Sequence, residues 1–270
     1  MADKNYSVII STCDKFSDLW DANITLLEKN WGKRGVDTFL VTDKPTDRHF
    51  DNVNIIAAGE GTEITERLAA AIEEIKTEYV VFLLDDYFLT KPVDTAKIDY
   101  CMAVMEKENL DYLRLYTFIN AKYFKEKLSG YDDIYRVTTE ARYNINLYPC
   151  GLSVKFLKET LKGEKRNAWQ YEVSLTKIGA AFGAKCALTN PNAMDMLDVV
   201  RKGKLIRRAK RYLDKHGLYH GNRPVLDIFT TVKLGTIYKL KVILPRGFTN
   251  FVRRVLKKCG KKFYSDEYEN

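Results

Sequence analysis

The chain has 270 residues, of which 46% are hydrophobic, 12% aromatic and 30% charged, so it is long enough for one large or two small domains and too rich in aromatics for wholesale disorder. The formal charge of +8 is unevenly spread: residues 1–200 hold 25 Lys and Arg against 31 Asp and Glu, whereas residues 201–270 hold 19 against 5, a net of +14. The longest clean apolar run, Tyr79 to Leu84, is far below the roughly 20 residues a bilayer-spanning helix needs, which excludes a transmembrane helix.

Tyr6 to Ser11 reads as a buried strand, short and β-branched. Ser17 is placed to cap a helix whose Trp20, Ile24, Leu27 and Trp31 fall on one face, with Gly32 and Gly35 ending it. Val36 to Thr42 and Val53 to Ile56 are the next strands. Thr62 or Thr65 opens a second helix with an apolar stripe of Ile64, Leu68, Ala71, Ile72 and Ile75. Tyr79 to Leu84 is apolar at nearly every position, as a central strand covered on both faces must be. Thr95 starts a helix with Ile98, Cys101, Met102 and Met105 inward, and Asp111 to Tyr116 is a fifth strand. This alternation predicts a three-layer α/β domain with a mostly parallel sheet. After about residue 120 it fails: Tyr131 to Leu147 reads as a β-hairpin or irregular insertion, and Leu152 to Leu161 and Trp169 to Ile178 as short helices.

The basic C-terminal quarter begins with a helix-compatible run, Lys202 to Lys215, with Leu205, Ala209 and Tyr212 on one side. Phe248, Phe251, Val252, Val255, Leu256, Cys259 and Phe263 then follow helical spacing, with Arg253, Arg254, Lys257, Lys258, Lys261 and Lys262 between them. This pattern suits a helix lying in a membrane interface, or a terminal helix packed on the body with a solvated basic face. Five widely spaced cysteines without a C-x-x-C pair argue against a disulfide framework or a zinc knuckle and fit a reducing cytoplasm. No secretory signal opens the chain.

Ligands of open α/β sheets bind beyond the carboxyl ends of the strands. That rule selects Thr12 and Asp14 after the first strand, Asp43 after the second, and Asp85-Asp86 after the central one. No G-x-G-x-x-G follows the first strand and no P-loop motif occurs, which argues against a dinucleotide enzyme and a P-loop NTPase. Two carboxylates at the edge of an apolar core repel one another. A divalent cation, Mg²⁺ or Mn²⁺, relieves that repulsion and takes further ligands from a nucleotide diphosphate. Alternatively the pair caps a turn through backbone amides. Asp14 and Asp43 are equally compatible with base and ribose contacts or with plain turns. Arg67 would approach a diphosphate or pair with Glu63 one helical turn away.

The run from Thr65 to Leu89, with Glu66-Arg67-Leu68 leading through Thr77-Glu78-Tyr79-Val80 to Leu84-Asp85-Asp86-Tyr87, resembles the bacterial GT-A glycosyltransferases of capsule, exopolysaccharide and lipopolysaccharide synthesis. Asn167-Ala-Trp-Gln-Tyr-Glu172 resembles that family's N-P-W-x-F-E segment, with Ala168 in place of Pro, and Tyr148-Pro-Cys-Gly151 resembles the segment before it. The likeness covers roughly residues 6–180. It implies a Rossmann-like GT-A domain over 1–200, with a nucleotide-sugar half to about 120 and an acceptor half beyond it, followed by a basic helical segment over 201–270. It also implies a metal on Asp86, Glu172 as the base, and transfer from a nucleotide-diphosphate sugar, UDP-sugar favoured, to a saccharide or lipid-linked saccharide with inversion. His220 would be the late histidine that completes the metal site, or an exposed loop residue. Trp169 and Tyr171 would stack on acceptor sugars, or pack in the core. The expected place of action is cytoplasmic, peripheral at the inner face of the membrane, with 246–263 on anionic lipid. A sugar-phosphate nucleotidyltransferase would want a glycine-rich loop after the first strand, and Ser11 to Ser17 has no glycine. Nothing in the basic segment resembles a nucleic-acid module, and the acidic body would repel nucleic acid.

Overall fold

The structure, a computed structural model, describes residues 4–117 and 126–232, and beyond them positions 235, 236, 252, 254 and 255. Its contacts divide the chain into two compact units. The first takes in residues up to Asp198 together with Gly217–Gly221, and the second takes in Val199–His216 and the described residues from Asn222 onward.

The first unit is built on an eight-stranded sheet of β1 (Tyr6–Ser11), β2 (Thr38–Thr42), β3 (Asn54–Ala57), β4 (Tyr79–Leu84), β6 (Tyr112–Arg114), β7 (Ile134–Val137), β8 (Cys150–Ser153) and β9 (Cys186–Thr189), in the order β3-β2-β1-β4-β8-β6-β9-β7. The pairs among β3, β2, β1 and β4 are parallel, as is β6 with β9. β8 is antiparallel to both β4 and β6, and β7 is antiparallel to β9. Alternation along the strands sends side chains to two cores. On one face Val8, Ile10, Val81 and Leu83 meet α1 (Trp20–Trp31) and α3 (Thr95–Glu108). On the other, Ile9, Val80, Phe82 and Tyr112 meet α2 (Ile64–Glu74), α4 (Val154–Thr160) and α5 (Ala168–Phe182). This is the α/β, Rossmann-like three-layer architecture with a mostly parallel sheet that the pattern predicts.

Several local expectations are corrected. Ser17 lies within a 3₁₀ turn, Asp14–Leu19, and does not cap α1, which begins at Trp20 with Leu19 at the cap position and no side-chain cap. Neither Thr62 nor Thr65 caps α2. Glu63 does, in a reciprocal pair with Glu66, each carboxylate accepting the other residue's backbone N–H. Of the two readings of Tyr131 to Leu147 the irregular insertion holds and the hairpin does not: β7 pairs across to β9, and the 138–149 segment is irregular. Buried Arg114 holds that segment by donating to the carbonyls of Tyr143 and Asn144, and Asn144 donates to the Thr138 carbonyl at 2.7 Å. At β8 the chain needs Gly151, because a Cβ there would lie 2.3 Å from the Met105 sulfur of α3.

A small antiparallel ribbon joins β5 (Tyr87–Leu89) to β10 (Met196–Asp198), with Asp198 opposite Tyr87. In the second unit β11 (Val200–Arg201) and β12 (Lys204–Leu205) form a hairpin whose turn, Lys202-Gly203, has both φ angles positive, which suits the tight two-residue connection. α6 (Arg207–His216) buries Ala209 and Leu213, whereas Tyr212 is only half-buried and is not part of its apolar side. The stretch 248–263 lies outside the described residues except for Val252, Arg254 and Val255, which are helical and exposed. Among the described residues no helix is long and apolar enough to cross a membrane.

Candidate functional site

Two groups of side chains meet along the carboxyl edge of the sheet, and the Asp85-Asp86 dipeptide joins them. The first is built on β1, β2, β4 and α2. Thr12 leaves β1 buried, and its hydroxyl accepts from the Trp20 indole N–H at 2.7 Å and donates to the Asp85 carboxylate at 2.5 Å. Asn23 of α1 donates to the Asp85 carbonyl at 3.0 Å, so Asp85, 8% exposed, is held from both strand and helix. Asp43 accepts the Asp14 backbone N–H at 2.6 Å and the Thr42 hydroxyl at 3.2 Å. Partial burial opposes ionisation of Asp43, but these hydrogen bonds and the Arg67 charge outweigh it and lower its pKa.

Arg67 is 9% exposed. Its Nη1 donates to the Thr62 carbonyl, and its buried Nε has no hydrogen-bond partner among the described residues. It is not bridged to Glu63, whose carboxylate is taken up by the helix cap. Half-buried Cys13 senses this whole group. Burial raises its thiol pKa, the carboxylates of Asp85 and Asp43 raise it further, and Arg67 opposes them. Asp43, Arg67 and Asp85 therefore all lie near Cys13, with Thr12 bonded to Asp85 and the Asp14 backbone bonded to Asp43. The sequence reading did not single out Cys13. It also missed the Gly59-Glu60-Gly61 turn that packs here, where the Gly59 N–H donates to the Asp43 carbonyl at 3.0 Å.

The second group surrounds Tyr87. Burial raises the pKa of its phenol far above the ordinary value, and the negative charges of Asp86, Asp198 and Glu172, with the Tyr148 hydroxyl, add to the effect. Four segments distant in sequence thus converge: the end of β4, the start of β8, α5 and β10. Glu172 is half-buried on α5 and accepts the Leu147 N–H at 3.4 Å. Burial raises its pKa, partly opposed by that N–H and by the Arg114 charge. A carboxylate so placed holds or takes a proton more readily than one in water. Asp198 was not anticipated. It lies beyond the point where the strand–helix alternation fails, and only its pairing with β5 brings it here.

Trp169 and Glu172 are three residues apart on α5 and so share a face. Trp169 is 57% exposed. Tyr171, expected beside an acceptor, is instead 2% exposed. It points into the core, where its hydroxyl is 2.7 Å from that of Thr160, so it has no face to offer a sugar. His220 is exposed on Gly217–Gly221. Its neighbour Tyr219 is buried and donates to Asp18 at 2.6 Å, which ties this segment to the 3₁₀ turn after β1. Among the described residues no three His, Cys, Asp or Glu side chains converge as a complete metal-ligand set. Two concavities, of about 430 and 790 Å³, lie elsewhere, around Gly35–Asn54 and around Thr77, Asp111 and Lys185, and are lined by no candidate residue.

No protein-family model matches the sequence, and no curated protein matches it. Among solved structures, S. aureus TarS is 16% identical, with a TM-score of 0.49 over 74% of this chain and 37% of that one. TarS 1–349 in complex with UDP-GlcNAc is 16% identical, with a TM-score of 0.49 over 74% of this chain and 60% of that one. UDP-glucose pyrophosphorylase complexed with UDP-glucose is 9% identical, with a TM-score of 0.47 over 72% of this chain and 92% of that one. The chain spans less than two thirds of the TarS chains. At such identities and scores the likenesses carry no reaction or ligand across to this chain.

Proposed function

We propose that the protein is a glycosyltransferase that moves a sugar from a nucleoside-diphosphate sugar, with UDP-sugar favoured, to a hydroxyl of a saccharide or lipid-linked saccharide in bacterial surface polysaccharide synthesis. The observation that carries this reading is the adjacency of Asp85 and Asp86. One carboxylate belongs to a group containing a buried cation, Arg67, and the other to a group containing a carboxylate with a raised pKa, Glu172. A transferase needs a place for a charged diphosphate and a place for a base, separated by the reacting carbon. The resemblance of Thr65 to Leu89 and of Asn167 to Glu172 to capsule and lipopolysaccharide glycosyltransferases supports the same assignment.

In this reading Thr12, Asp14 and Asp43 address the nucleoside, and the unpartnered Arg67 Nε faces the diphosphate. Asp86, with its hard oxygens, fits a Mg²⁺ or Mn²⁺ ion that takes most of its ligands from phosphate and water, which suits a site where no three protein ligands converge among the described residues. His220 is the further candidate ligand. When bound, the ion would neutralise charge on the leaving diphosphate. Glu172 takes the proton from the acceptor hydroxyl, whose oxygen displaces the nucleoside diphosphate from the anomeric carbon; direct displacement inverts that centre. The exposed Trp169, on the face of α5 that carries Glu172, stands on the acceptor side.

The place of action in this reading is the cytoplasmic face of an anionic membrane, reached through 246–263. The net +14 of residues 201–270 supports this, as do the exposed Ile228, Phe229, Val232, Val252 and Val255 of the second unit. A thermal-shift screen of nucleotides and nucleotide sugars with Mn²⁺ or Mg²⁺ tests the reading, since a ligand of the native state raises its melting temperature. A metal-dependent rise with nucleoside diphosphates and their sugars is expected. A rise with nucleoside triphosphates alone would overturn it.

A further inference from the structure

Three tyrosines stand in a row at the carboxyl edge. Tyr87 follows β4, Tyr116 follows β6, and Tyr148 precedes β8. The Tyr148 ring meets Tyr87 edge-to-face at 5.9 Å and 86°, and Tyr116 at 6.0 Å and 84°. All three are half-buried, although they lie at strand ends where turns are ordinarily polar. Tyr148 also follows Leu147, whose N–H holds Glu172. The middle ring of the row is therefore adjacent in sequence to the residue that holds the carboxylate assigned as base, and the charges of Asp86 and Asp198 act on its Tyr87 end.

A pyranose presents an apolar C–H face and a rim of hydroxyls. Its natural host is an aromatic surface bordered by carboxylates that accept hydroxyl protons and by hydroxyls that donate. We propose that Tyr148, with Tyr116 and Tyr87 packed against its ring, is the platform on which the acceptor saccharide lies, in place of the buried Tyr171. This rests on the glycosyltransferase reading and adds the position of the acceptor. The two edge-to-face contacts fix the Tyr148 ring, so a sugar bound against it is presented to Glu172 in one orientation rather than several. Arg114, donating to the Tyr143 carbonyl, holds the segment that leads to Tyr148, and Asn146 accepts the Tyr148 N–H at 3.1 Å.

The test uses the full chain, a UDP-sugar identified by the thermal-shift screen, and a panel of p-nitrophenyl α- and β-hexosides as acceptor probes. Release of nucleoside diphosphate is followed with and without each probe. For the probe that accelerates release most, Tyr148→Ala should raise the acceptor KM roughly tenfold, about the loss of one good aromatic contact, while the donor KM moves little. Tyr148→Phe keeps the ring and should keep the acceptor KM within about twofold. Tyr116→Leu, which frees one side of Tyr148, should give an intermediate rise and controls for misfolding of the Ala variant. An acceptor KM unchanged in both Tyr148→Ala and Tyr116→Leu overturns the platform. So does a wild-type protein that hydrolyses the UDP-sugar at a rate no probe alters. A wild type that neither binds nor hydrolyses any nucleotide sugar instead overturns the reading on which the platform rests.

Discussion

Replacing Thr12 with valine removes one oxygen and keeps the shape of the side chain, so it isolates the polar link between α1 and the end of β4. In the wild type that oxygen accepts from buried Trp20 at 2.7 Å and donates to buried Asp85 at 2.5 Å. Without it the indole N–H is buried with no acceptor, at a cost of about 1–3 kcal/mol, and Asp85 loses a hydrogen bond to a charged group, worth about 1.5–3 kcal/mol. The expected loss is therefore about 3–5 kcal/mol. With a urea m-value of about 3 kcal/mol/M, the unfolding midpoint should fall by roughly 1–2 M. Thr12→Ser keeps the hydroxyl and loses one methyl group, about 1 kcal/mol. Trp20 and Trp31 are buried, so intrinsic fluorescence reports the transition directly. If Thr12→Val unfolds within about 0.5 kcal/mol of wild type, or if Thr12→Ser is as damaging, the hydroxyl does not bridge the two groups and the account of Asp85 fails.

Asp86→Asn should abolish metal-dependent nucleotide binding while leaving the melting temperature of the free protein close to wild type; retained binding with unchanged metal dependence would remove Asp86 from the site. Glu172→Gln should cut turnover by roughly 10²–10⁴, the range for loss of a general base. Because burial raises the Glu172 pKa above 4.5, its contribution to stability is present below that value and is lost as pH rises through the folded value. The Gln variant should thus melt no lower than wild type once pH exceeds that folded value, and wild-type turnover should rise as pH climbs from 4.5 through it. The intact protein should sediment with anionic vesicles at low salt and less at high salt, and replacing Arg253, Arg254, Lys257 and Lys258 with Gln should weaken this further. Indifference to vesicles at low salt would end the membrane proposal alone.

The nucleotide-side half of the sheet was legible because its signals are long. Tyr79 to Leu84 is an unbroken apolar strand, and Trp20, Ile24, Leu27 and Trp31 repeat at helical spacing over twelve residues. β8 and β9 were missed because Cys150-Gly-Leu-Ser and Cys186-Ala-Leu-Thr are four residues long and carry almost no β-branched side chains. At Gly151 the side chain is absent because α3 packs there, where a Cβ would meet the Met105 sulfur. Trp169 and Tyr171 were expected on the same side of α5, yet residues two apart on a helix lie about 200° apart, so only one could face outward. Spacing also explains why Asp198 escaped notice: 112 residues separate it from Asp86, and only a three-residue ribbon brings the two segments together.

The reversed direction of β8 has a consequence for how such a protein can diversify. Because β8 runs against β4 and β6, the chain reaches the carboxyl edge on its way into the strand, through residues 138–149. The side chains grouped around Cys13 all precede residue 90, so this later segment shares no residue with them. Its anchors, Arg114 to the Tyr143 carbonyl and Tyr112 to Asn146 from β6, and Thr176 and Glu172 to Ile145 and Leu147 from α5, lie on neither β1, β2 nor β4. The segment therefore behaves as an exchangeable cassette. Transplanting 138–149 between chains of this architecture that keep Tyr112 and Arg114 would alter what the edge receives on one side without touching what it holds on the other, so the two specificities are free to evolve at different rates.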